Sequence, residues 1–89
     1  MLLRISEERL EDFTVVHVAG RLMGDGVEEL GRVCTQTPRP LRIDLAGLLQ
    51  ADDLGLSLLR SLRASGAELE DMSPFISLLL DGRGIRDQN

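Results

Sequence analysis

The spacing of apolar residues changes period once between Leu41 and Leu62, and that change restricts the segment to a strand feeding a helix. Leu41, Ile43 and Leu45 alternate with Arg42 and Asp44, giving a strand with one apolar face. Beyond Gly47 the apolar positions become Leu54, Leu58, Leu59 and Leu62, which is helical spacing. Two adjacent carboxylates, Asp52 and Asp53, stand where that helix opens. A helix start carries unpaired backbone N–H groups and about half a positive charge, so acidic residues are stabilised there. We expect Asp53 to be the N-cap of a helix reaching Ser65, with those four leucines turned inward and Gly66 as a left-handed stop. Gly55, in the first turn, leaves space for the helix to approach a sheet closely.

The other elements follow from similar patterns. Residues 2–5 read as a short strand and residues 6–12 as a polar turn. Phe13–Ala19 is rich in β-branched residues and apolar on both faces, as a central strand is. A hairpin would pair these two strands antiparallel, with Gly20 ending the second. Asp25 and Glu28 have capping-box spacing ahead of an apolar stripe of Val27, Leu30, Val33 and Cys34, and Pro38 and Pro40 close that helix. Ala67–Met72 reads as a last strand with Glu68 and Glu70 on one face. Ser73-Pro74 opens a third helix, with Phe75, Leu78 and Leu79 inward and Gly82 as its end. The order β-β-α-β-α-β-α predicts a small mixed four-stranded sheet with helices mainly on one face. Residues 1–82 would form the domain and 83–89 a loose tail.

Composition narrows the function. The net charge is −5, and the aromatic residues are Phe13 and Phe75. Nucleic-acid binding, which needs a positive surface or stacking rings, is therefore not expected. All ten basic residues are arginine, so lysine Schiff-base chemistry and a P-loop lysine are excluded. A single cysteine, Cys34, forms no intrachain disulfide and fits a reducing compartment. Apolar runs fall short of the roughly 18 residues a membrane span requires. A cytoplasmic domain without membrane insertion is the expectation.

Ligands of such sheets sit beyond the carboxyl ends of the strands, here residues 20–25, 47–53 and 71–73. Asp25, Asp44, Asp52, Asp53 and Asp71 would gather near that edge, and one or two converging carboxylates suffice for Mg²⁺. Each also serves locally as a cap or turn former, so no metal or other cofactor is assigned. His17, the sole histidine, reads as a core or sheet-face residue, because a triad lacks its partners. Cys34 reads as a small buried hydrophobe. Gly20-Arg21-Leu22-Met23-Gly24 lacks the spacing and lysine of a phosphate loop and reads as a tight strand-to-helix turn.

The arrangement resembles the STAS domain of bacterial anti-sigma factor antagonists over roughly residues 3 to 80. Residues 16–22 (VHVAGRL) are similar to the family's strand ending in Gly-x-Leu, and residues 43–47 (IDLAG) to its Asp-Leu-Ser-Gly. Asp52-Asp53-Leu54-Gly55-Leu56 stands where the family carries Asp-Ser-Ser-Gly-Leu, and residues 62–69 (LRASGAEL) match its helix-to-strand turn. In phosphorylated antagonists the first of those serines accepts phosphate from a partner kinase. Asp53 holds that position here and Leu54 the next, so neither hydroxyl is present; Gln50 also replaces an apolar residue. Ser57, one turn on, is a weaker substitute.

The resemblance implies a non-enzymatic protein-binding regulatory module in signal transduction, without phosphoserine switching at the family site. Its partner would be an anti-sigma kinase-like protein or a transporter-associated component. The docking surface would comprise Asp52, Asp53, Leu54 and Gly55 with Gly20 and Arg21 of the neighbouring turn. Two rivals stand beside it. One is a Mg²⁺-dependent phosphoreceiver or small enzyme using the clustered aspartates. The other is a structural subunit forming a homodimer through an exposed sheet face bearing Val16, Val18 or Leu41.

Overall fold

The computed structural model describes residues 3–38 and 40–81. Along the chain run β1 (Leu3–Arg9), β2 (Thr14–Leu22), α1 (Asp25–Gln36), β3 (Leu41–Ala51), α2 (Asp53–Ala64), β4 (Glu68–Glu70) and α3 (Pro74–Asp81). The four strands form one sheet in the order β1-β2-β3-β4. β1 is antiparallel to β2, and the pairs β2–β3 and β3–β4 are parallel. This is the mixed four-stranded α/β architecture expected from the element order.

Alternation along the strands divides the sheet into two unlike faces. Val16 and Val18 of β2 and Leu41, Ile43 and Leu45 of β3 are buried against Leu30 and Cys34 of α1, Leu56, Leu59 and Leu62 of α2, and Ile76 and Leu80 of α3. Burial of Val16, Val18 and Leu41 under the helices removes the sheet-face homodimer, since these residues form the core. The intervening residues Phe13, His17, Arg42, Asp44, Glu68 and Glu70 lie on the opposite face, where their side chains meet one another and solvent.

Several elements depart from the sequence reading, each for a local reason. β1 runs on through Ser6–Arg9, because an edge strand over a solvated face tolerates polar residues there. Gly20, with φ +99°, lies within β2 and does not end it. β3 likewise passes through Gly47 to Ala51. The register shifts between His17/Ala19 and Gly20/Arg21, and both place the extra residue on β3. Gly47 is needed for closeness: a Cβ there would lie 2.9 Å from that of Ala19 on β2. Gly24 is the N-cap of α1 and has no side chain to cap with, while Asp25 is already helical; the predicted capping box of Asp25 and Glu28 is absent.

In α2 the N-cap is Asp52, not Asp53. Leu56, Leu59 and Leu62 are its buried leucines, while Leu54 is exposed. Gly66 is left-handed, as expected of the stop. β4 is confined to Glu68–Glu70. Ser73 caps α3 through its hydroxyl, which accepts from the Ile76 N–H at 3.1 Å. α3 buries Ile76 and Leu80, leaving Phe75 and Leu78 outward. Its nearly continuous apolar sequence gives no phase of its own. Arg60 of α2 donates to the carbonyls of Leu80 (2.7 Å) and Leu79 (3.1 Å), and so holds the end of α3 against α2. Gly82 and the predicted tail 83–89 lie outside the described residues.

Candidate functional site

The carboxyl ends of β2 and β3 lie side by side, since Leu22 pairs with Ala51, and a helix start follows each. Asp52 joins the two. One carboxylate oxygen, Oδ1, accepts from the Gly55 N–H at 2.8 Å, and Oδ2 accepts from the Gly24 N–H at 3.3 Å. Its backbone N–H donates to the Leu22 carbonyl at 3.1 Å. Asp52 thus satisfies orphan donors at the starts of both α1 and α2. Gly55 is buried against β2, where a Cβ would come within 2.6 Å of the Leu22 carbonyl oxygen. The close approach expected from its missing side chain is present.

With Asp52 and Gly55 engaged in holding the fold, the surface is made by their neighbours. Asp53 is exposed, and its side chain makes none of the described hydrogen bonds or ion pairs. Leu54 is 66% exposed, Leu49 near the end of β3 is 70% exposed, and Met23 between β2 and α1 is 37% exposed. Arg21 is exposed beside them in sequence, and Gly20 is half-buried. Met23, Leu49 and Leu54 are thus exposed hydrophobics on the segments that end or begin at Asp52, and Leu54 stands next in the chain to the fixed negative charge of Asp53. Leu49 and Met23 were not legible as surface residues. In the pair Leu48-Leu49 one side chain must face out, but the bulges decide which.

The five aspartates proposed to converge do not. β4 stops at Glu70, which pairs with Asp44, while β3 continues seven residues further to Ala51. At 3.3 Å per residue that separates Asp71 from the Asp52 end by about 20 Å. Asp44 lies within β3 on the open sheet face. Among the described residues no group of three or more His, Cys, Asp or Glu side chains is placed to hold a metal ion.

Asp44 instead forms a polar cluster with His17. Asp44 Oδ2 lies 2.7 Å from His17 Nδ1, and Glu8 Oε1 lies 3.0 Å from His17 Nε2. The Ala46 N–H donates to Asp44 Oδ1 at 3.0 Å, steadying the first bulge of β3. The hydrogen bond to Glu8, followed by that to Asp44, holds the His17 pKa above its ordinary value. The Ala46 N–H and then His17 hold Asp44 below the usual carboxylate range. His17 therefore bridges β1, β2 and β3 as a sheet-face residue. Both ring nitrogens lie within hydrogen-bond distance of carboxylates.

Several solved structures resemble this one. The crystal structure of Mglu matches with a TM-score of 0.65 and 28% identity, over 78% of this chain and 20% of Mglu. This chain thus spans only a fifth of that protein's length. The antisigma-factor antagonist STAS domain from Rhodobacter sphaeroides matches with a TM-score of 0.58 and 20% identity, over 81% of this chain and 97% of that domain. No protein-family model and no curated protein sequence matches the chain. The fold is that of a STAS domain. Within it, the segment Asp52–Gly55 begins the helix that follows the third strand. None of the helices described is long and apolar enough to cross a membrane.

Proposed function

We propose that this chain is a non-enzymatic regulatory module of the cytoplasm that binds another protein at the end of the sheet where α1 and α2 begin. The observation that carries the reading is the exposure of Leu49, Leu54 and Met23, together with Asp53, on segments whose ends Asp52 ties to one another by hydrogen bonds. A rigid scaffold bearing an apolar patch with a charged rim has the anatomy of a protein interface. Asp53 supplies a fixed negative charge suited to arginine or lysine of the partner, with Arg21 offering the opposite sign nearby. The likeness of fold to an antisigma-factor antagonist supports a kinase-like anti-sigma protein as partner, with a transporter-associated component as the second candidate.

Binding in this reading does not depend on phosphorylation. The helix start carries Asp53 and Leu54, neither of which has a hydroxyl to accept a phosphoryl group. Affinity capture from the native cell, identification of the retained protein and calorimetry with that purified partner test the reading. Leu54→Asp and Asp53→Arg should each weaken binding about tenfold or more, equivalent to about 1.4 kcal/mol. Arg32→Ala, on α1 beside Glu29, should leave it unchanged. Equal affinity across the three variants would place the interface elsewhere.

A further inference from the structure

The two edges of the sheet differ in how they are defended. An edge strand offers unpaired N–H and C=O groups to any second strand, and proteins blunt it by shortness or by repelling charge. The β4 edge uses both devices. It has three residues, and antiparallel pairing with itself about Leu69 would set Glu68 against Glu70. The β1 edge has seven residues, Leu3 to Arg9, and among the described residues no strand covers its outer side.

Hydrogen-bond parity fixes what β1 offers. The Leu10 N–H donates to the Phe13 carbonyl at 2.8 Å, so these residues form a hydrogen-bonded pair closing the hairpin. Alternation along the β1–β2 register then makes Arg4, Ser6 and Glu8 the residues bonded to β2. The backbone groups of Leu3, Ile5, Glu7 and Arg9 therefore point outward.

We propose that β1 pairs antiparallel with β1 of a second copy of this chain, about a two-fold axis at Ser6, joining two sheets into one of eight strands. This register engages all seven residues. It puts Leu3 opposite Arg9 and Ile5 opposite Glu7 as hydrogen-bonded pairs, consistent with the outward parity. Arg4 then faces Glu8 of the second copy, twice by symmetry, at non-hydrogen-bonded positions where side chains lie closest. A two-fold at Glu7 would oppose like charges, and one at Ile5 would use only five residues. Among the described residues Arg4 has no ion-pair partner, whereas Glu8 already reaches His17, so pairing extends an existing chain of charges. Leu3 and Ile5 are half-buried beside an open groove of about 780 Å³ between β1 and the start of α1, and the second copy would cover that side of the strand. An interface made of the same surface on both subunits closes without further growth.

Light scattering and sedimentation of the full chain test the pairing. The wild-type protein should have twice the mass of one chain. Arg4→Glu should return it to the mass of one chain, since four acidic side chains then meet across the seam. The double variant Arg4→Glu/Glu8→Arg, which restores opposite charges, should recover the dimer. Glu7→Pro removes one outward N–H without touching the β2 ladder and should also give a monomer, with circular dichroism confirming that the fold is kept. A wild-type chain that stays single at its highest soluble concentration would overturn the proposal. So would a dimer indifferent to Arg4→Glu, or a charge-swapped variant that fails to re-pair while remaining folded.

Discussion

At the scale of single residues, adjacent aspartates have become different in kind. Asp52 is a bracket between two helix starts, and Asp53 is a free surface charge. Removing the Asp52 carboxylate leaves donors at both Gly24 and Gly55 without it, so Asp52→Ala should cost about 1–2 kcal/mol in urea unfolding. Asp53→Ala should change stability by less than about 0.5 kcal/mol, as surface substitutions usually do. The His17 cluster gives a pH dependence of definite sign. His17 has a raised folded pKa, so its contribution is complete below the unfolded value of 6.5 and fades as pH rises through the folded one. Asp44 has a lowered folded pKa, so its contribution is complete above 3.8 and fades on acidification. The cluster is therefore most stabilising between about pH 4 and 6.5. Replacing His17 with Gln should flatten the loss of stability above pH 6.5 in thermal melts recorded across pH.

At the scale of elements, packing decided what periodicity left open. The strands β2 and β3, the helices α1 and α2 and the close approach at Gly55 were legible, because each rests on a regular pattern or on a missing side chain. The ends of β2 and β3 were not. Gly20 and Gly47 look like breakers, but here one permits a positive φ and the other a cross-strand contact with Ala19. The first bulge on β3 then shifts the parity, which buries Leu48 opposite Gly20, and Leu49 is the unpaired, exposed residue of the second. The N-cap was missed by one residue, since either aspartate satisfies the sequence pattern and only the position of Gly24 selects Asp52. The helix α3 was placed correctly but rotated, as its mostly apolar sequence carries no polar face to orient it. Gly55→Ala tests the element contact directly. Its Cβ would press on the Leu22 carbonyl, and the substitution should destabilise by about 1–3 kcal/mol despite the better helix propensity of alanine.

At the scale of the whole molecule, the sheet separates surfaces by location. Helices cover one face, a network of charges covers the other, and the two most exposed leucines, Leu49 and Leu54, lie at the carboxyl end of β3 and the start of α2. Protein binding is proposed at that end and self-pairing along the β1 edge, and the two meet at the groove beside Leu3, which Arg21 and Met23 also line. The sequence resemblance led to the right fold, and the docking surface proposed here adds exposed Leu49 and Met23 to the residues expected from the sequence. Backbone amide NMR of the isotopically labelled chain, with the captured partner added, tests this placement most directly. The account predicts shifts concentrated at residues 21–24 and 49–54, with or without ATP present. Shifts confined to Glu8, His17, Arg42 and Glu68 on the open sheet face would contradict it.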